Sequence, residues 1–95
     1  MYLVISRWRP REGREEEFAQ VSRIMRDTLR RQPGVVFLEA IEGPECFYAV
    51  HGYESEEMYR HIIEDPRGAF LRAASEQMLE DVAEWLGSVK GESMD

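Results

Sequence analysis

Three runs of this chain are apolar at consecutive positions: YLVI at residues 2 to 5, VVFL at 35 to 38 and CFYAV at 46 to 50. Side chains alternate between the two faces of a strand, so a sheet with helices on one side and water on the other alternates apolar and polar residues. These runs do not alternate, so both faces of the sheet they build are to be covered. The helices of a 95-residue chain suffice for one face, and a chain of this size buries only roughly 60 to 65% of the surface its unfolded form exposes. The second face most simply meets a second copy of the same sheet, which predicts an isologous homodimer.

The runs sit in a definite order of elements. YLVISRW, residues 2 to 8, reads as a first strand ending at Pro10. From Gly13 the period becomes helical, with Phe18, Val21, Met25 and Thr28 on one face, widened by Ile24 and Leu29. Acids crowd its first turn and arginines its last, as the helix dipole favours. Gln32-Pro33-Gly34 stops the helix, residues 35 to 41 form a second strand, and Glu42-Gly43-Pro44-Glu45 turns the chain into a third at 46 to 53. Ser55 caps a helix running to about Glu64, where Asp65-Pro66 ends it, and another helix starts near Gly68. VAEWLGSV is compatible with helix or strand; a strand at 82 to 89 completes the sheet. Strand, helix, strand, strand, helix, strand is the order of a ferredoxin-like α+β fold with a four-stranded antiparallel sheet. It makes one domain over residues 1–90, with 91–95 expected to be a disordered tail.

Charge and composition exclude several functions. A net charge of -7 argues against nucleic acid, which needs a basic stripe. No apolar run approaches the ~18 residues of a membrane span, and the N-terminus lacks the order of a signal peptide, so the expected compartment is cytoplasmic. Cys46 is the single cysteine, which leaves neither an intrachain disulfide nor a cysteine zinc site, and its apolar strand makes it buried and inert.

The candidate chemistry lies in HGYESEEMYRHIIEDP, residues 51 to 66, which holds both histidines. Histidine titrates nearest neutrality. His51 shares a strand face with Phe47, Ala49 and Tyr53; it serves there either as a proton acceptor lining a pocket or as a hydrogen-bonded residue at a dimer seam. His61 lies among Met58, Tyr59, Ile62 and Ile63, as a ligand-facing or a surface residue. A metal held by both would need Glu54 or Glu57 as a third ligand, and the spacing matches no metal signature, so no metal is expected. Trp8 and Trp85 suit either the stacking of a flat aromatic ligand or plain packing. Tyr53 either orients a substrate or anchors the strand end. Arg7 and Arg9 flank Trp8, while Met25, Met58 and Met78 read as core fillers.

The chain resembles the antibiotic biosynthesis monooxygenase family. The resemblance is carried by RPREG followed by REEEF at the exit of the first strand, by Pro33-Gly34, and by GYESEEMYRHIIEDP, which resembles the family's run of an aromatic, a serine, a helix with an inward histidine and a proline. It implies a dimeric α+β barrel, built from two of the four-stranded sheets, with a pocket between sheet and helices in each subunit. It also implies a range of outcomes: some members oxygenate aromatic compounds without a cofactor, others cleave haem, and many have no assigned activity. Under the first, His51 or His61 is the proton acceptor, Tyr53 the orienting hydroxyl, and Trp8 and Phe70 the walls, with no cofactor. Two rivals are a non-catalytic small-molecule-binding or stress-response module, and a structural dimer whose pocket is filled by its own side chains.

Two departures from the family pattern stand out. His61 has four residues before Pro66 where the family has three, which puts Ile62 at the family position and turns His61 by about 100°. The haem-cleaving members resemble one another in an asparagine, a tryptophan and a later histidine. Here the corresponding positions are Ser6, near Ile62, and a last helix without histidine, so that mechanism is not expected.

Overall fold

The computed structural model describes residues 1–94. The elements are β1 (Tyr2–Pro10), α1 (Glu15–Arg30), β2 (Val35–Glu42), β3 (Phe47–Tyr53), α2 (Glu56–Tyr59), a π turn (Arg60–Glu64), α3 (Ala69–Glu76), α4 (Leu79–Val82) and β4 (Ala83–Glu92). They form one four-stranded sheet of order β2-β3-β1-β4, antiparallel at every pairing. This is the expected ferredoxin-like α+β fold. No helix among the described residues is long and apolar enough to cross a membrane.

The even-numbered side of β1 faces the helices. Tyr2 and Val4 are buried there with Leu38, Tyr53, Tyr59 and Ile62, while Phe18 and Met25 of α1 pack with Ala73, Leu79, Val82 and Ala83. The opposite face carries Ile5, Val50 and Val89 as direct cross-strand neighbours and leaves Ile5, Ile41 and Val89 exposed.

β4 differs from expectation at both ends. Val82 belongs to α4, and the strand runs on to Glu92, so Gly91 and Glu92 pair with Leu3 and Tyr2 instead of joining a disordered tail. The reason is that β1 starts at Tyr2 and offers a ladder to that point; Ser93 N–H adds a bond to Met1 O at 2.8 Å. Of the expected tail, Asp95 lies outside the described residues. Met78 also departs from its role as a core filler: it sits at φ +55°, between α3 and α4, and is 61% exposed.

Two irregularities matter for the site. Between β1 and β4 the register jumps, Arg7 pairing with Gly87 but Trp8 with Trp85, so Leu86 is bulged out. Without that extra residue, positions 85 and 88 would fall on opposite faces; the bulge puts Trp85 and Ser88 on the same one. Gly87 takes φ +119°, a conformation L side chains avoid. The second irregularity is the π turn, where Asp65 N–H donates to Arg60 O at 2.9 Å. A π turn absorbs one residue beyond α-helical spacing, and it takes up the additional residue before Pro66.

Candidate functional site

Between the sheet and the helices lies a cavity of about 830 Å³ whose lining is mostly apolar. β1 contributes Val4, Ser6 and Trp8 to its floor, β3 contributes His51, and α3 contributes Phe70. Trp8 and Phe70 form one wall, with ring centroids 6.5 Å apart and planes tilted by 54°. Within the single chain this cavity is open and is not filled by the chain's own side chains, which weighs against the reading of a dimer without an open pocket.

A connected set of polar groups runs across the floor. Val4 pairs with His51 and Ser6 with both Ala49 and Ser88, so His51, Ser6 and Ser88 are neighbours on the helix-facing side. His51 Nδ1 is 2.6 Å from the Tyr53 hydroxyl, and His51 Nε2 is 3.4 Å from Ser6 Oγ. Ser6 Oγ is 2.8 Å from Ser88 Oγ, which accepts from Trp85 Nε1–H at 3.1 Å. Burial lowers the His51 pKa to about 4, so the imidazole is neutral at pH 7. Burial, with Tyr59 beside it, raises the Tyr53 hydroxyl far above its ordinary value, so it keeps its proton.

Charges sit at the rim. Lys90 Nζ donates to Glu64 Oε2 at 2.9 Å and to Tyr59 Oη at 3.4 Å, joining β4 to the π turn. Glu64 is held below the usual carboxylate value by that lysine. On α1, Arg26 reaches the cavity and donates to Ser22 Oγ; burial pulls its pKa down, and neighbouring Arg30 and Arg23 add to the effect.

A model of the antibiotic biosynthesis monooxygenase family matches residues 1–62. The chain belongs to this family. No protein of curated function matches the sequence. Among solved structures, SnoaB, a cofactor-independent oxygenase from Streptomyces nogalater, superposes with a TM-score of 0.79 at 15% identity, covering 99% of this chain and 93% of that one. Rv0793 from Mycobacterium tuberculosis gives 0.78 at 15% identity, covering 99% and 95%. A conserved protein of unknown function from Bacteroides thetaiotaomicron gives 0.77 at 14% identity, covering 97% and 96%. At these identities the likeness establishes the shared fold alone.

Within this family member, the candidate residues separate into two groups. Ser6, Trp8, His51 and Phe70 meet at the cavity. Tyr53 is 0% exposed and reaches the site only through His51. Ile62, at the family histidine position, points into the core beside Tyr59 and does not line the cavity. His61 is a correction: its side chain is 73% exposed, 4.0 Å from Asp65, over a shallow depression of charged residues on the outer surface. The π turn brings Ile62 inward and His61 outward, so the two histidines are never near one another. Among the described residues no group of His, Cys, Asp and Glu is placed to hold a metal ion.

Sequence reasoning missed Ser88, Lys90 and Glu64. Ser88 had one available signal: Gly87 next to it, since a glycine inside a strand pattern marks a bulge that re-aims its neighbours. Lys90 fell at the very edge of the expected domain, and Glu64 read as a helix end.

Proposed function

We propose that this family member is a homodimeric, cofactor-independent monooxygenase that acts on a hydroxylated aromatic, quinol-like compound held in the cavity. The observation that carries the reading is the apolar cavity itself, walled by Trp8 and Phe70, with the neutral His51 and two serines as its polar floor. Such a site suits a flat ring with one oxygen to be hydrogen-bonded. The substrate supplies the electrons. Its carbanion, stabilised as an enolate, adds to dioxygen to give a carbon-bound hydroperoxide. Cleavage of the O–O bond with loss of the remaining C–H then leaves a carbonyl and releases water. One oxygen atom enters the product and the other leaves reduced, so no external reductant is required. Positioning the ring and stabilising its anion are what the protein must add.

The dimer reading rests on the apolar outer face of the sheet, where Ile5, Val50 and Val89 stand side by side. A second reading, ligand binding without turnover, draws on the Tyr53 hydroxyl at His51 Nδ1, which engages the imidazole before any substrate arrives.

The test is oxygen uptake with a panel of quinols and anthrone-like hydroxyaromatics in buffer containing a chelator. Uptake that survives the chelator, falls by at least ~10-fold in His51→Ala and is untouched in His61→Ala supports the reading. A panel with no uptake above the uncatalysed rate rejects it and leaves the binding module.

A further inference from the structure

The hydrogens of the polar floor can be counted. Tyr53 Oη lies in a fully buried position and meets one polar atom, His51 Nδ1. If Nδ1 carried the ring proton it would donate to the phenol oxygen, and the Tyr53 hydrogen would be left facing apolar atoms, a buried donor without a partner. The bond therefore runs from the Tyr53 hydroxyl to Nδ1, and the ring proton of neutral His51 resides on Nε2. That N–H points along the floor toward Ser6 Oγ, 3.4 Å away, a distance loose enough to share with a second acceptor.

From the opposite side Trp85 Nε1–H donates to Ser88 Oγ. The Ser6–Ser88 bond consumes one hydroxyl hydrogen whichever way it runs. The other hydroxyl hydrogen has no partner among the described residues, and both serines line the cavity. Each serine oxygen has two lone pairs, and three of the four N–H and O–H hydrogens are taken up within the set. The fourth, a hydroxyl hydrogen, opens into the space where a ligand sits, beside the loosely held Nε2–H of His51.

We propose that Ser6, Ser88 and the Nε2–H of His51 form a donor site for a ligand oxygen, one that selects the ionised enolate or phenolate form of an aromatic compound over its neutral form. The proposal rests on the reading of the cavity as the site of such a compound, and it gives His51 a role opposite to a proton acceptor. Nε2 has no lone pair to offer, so the imidazole holds the oxyanion instead of generating it. Trp85 orients Ser88, and Tyr53 fixes the tautomer of His51; both are positioning residues. The bulge at Leu86 is what brings the Trp85 end of the chain onto the floor. Arg26, on α1, is the rival source of anion preference in the same cavity.

Binding under anaerobic conditions at pH 7 separates this from turnover, with 2-hydroxy-1,4-naphthoquinone, an anion at that pH, and its methyl ether 2-methoxy-1,4-naphthoquinone as probes. The expected result is an anion bound at least ~10-fold more tightly than the ether. Ser6→Ala and Ser88→Ala each lower anion affinity by ~10-fold, and the double variant abolishes the preference while the ether binds as before, which reports an intact cavity. Arg26→Gln keeps the preference. Equal affinities in the native protein, no binding of either probe, equal loss of both probes in the serine variants, a preference that survives the double variant, or one that disappears in Arg26→Gln would each overturn the proposal. A selective anion site in a protein that consumes no oxygen with any quinol would leave the donor site standing and remove the oxygenase.

Discussion

The Tyr53 hydroxyl and His51 Nδ1 stand 2.6 Å apart in a space closed to solvent, two titratable groups both held neutral by burial. The burial of His51 makes stability depend on pH. In the unfolded chain His51 titrates at 6.5, in the folded chain at about 4. Between those values the unfolded chain takes up a proton that the folded chain refuses, so stability falls as pH falls through that window. The full effect is about 3 kcal/mol, at about 1.4 kcal/mol per pH unit. Thermal or urea melts from pH 7.5 to 4 should show the loss in the native protein. His51→Gln should show a flatter curve, with the ion-paired Glu17 and Glu64 contributing equally to both. Parallel curves would place the acid sensitivity elsewhere.

Tyr53→Phe removes the donor that fixes the imidazole. Nδ1 then keeps a buried lone pair without a partner, at a cost of about 1–3 kcal/mol. Nitrogen NMR of labelled histidine should find His51 in the Nε2–H form in the native protein, with the Nδ1 signal moving in Tyr53→Phe and that of His61 unmoved. A native His51 protonated on Nδ1 contradicts the direction assigned to the bond.

Much of the fold was legible because local chemistry and tertiary context agreed. Pro33-Gly34 ends α1, and Ser55 Oγ accepts from Met58 N–H at 3.2 Å to start α2, as its type and position indicate. The consecutive apolar runs marked three strands. What the sequence concealed depended on pairing. β4 has weak local preference and gains its length from the ladder that β1 provides. The facing of His61 depended on a π turn, which periodicity at 3.6 cannot register. The polar floor joins residues 6, 51 and 88, whose adjacency follows from strand order and from the bulge, neither of which a single strand announces. His51 could be grouped with Phe47 and Tyr53 on one strand face, but whether that face met a pocket or a dimer seam was open until the helices were placed over it, and its proton could be placed only once Tyr53 had been found without any other partner.

Two glycines separate backbone strain from steric exclusion. Gly87 sits at φ +119° with only the Arg7 guanidinium near a built Cβ, at 3.8 Å. Gly34 sits at φ +96°, and a Cβ there would overlap the Met58 side chain. Gly87→Ala should cost about 1–2 kcal/mol from conformation alone and should also disturb the bulge, seen as a shift in Trp85 fluorescence. Gly34→Ala should cost more, about 2–4 kcal/mol, and be partly relieved by Met58→Ala. Equal costs at the two positions, or no relief in the double variant, would show that Met58 is free to move aside.

The outer face of the sheet bears on assembly. Ile5 is 44% exposed and Val89 75%, and they pair directly across β1 and β4, with Val50 on the other side of Ile5. Fully burying such a side chain contributes about 1.5–3 kcal/mol, so a row of them repeated by a two-fold axis supplies much of what a stable dimer needs. A charge placed in the middle of that row would be desolvated without a partner on association. Light scattering at micromolar concentration should therefore find a mass of two chains for the native protein and of one for Ile5→Glu combined with Val89→Glu. The variant should keep its far-ultraviolet circular dichroism, since neither side chain belongs to the helix-facing core. A native protein that is monomeric at that concentration would mean that the apolar strands tolerate water on one face, and that the cavity is complete within a single chain.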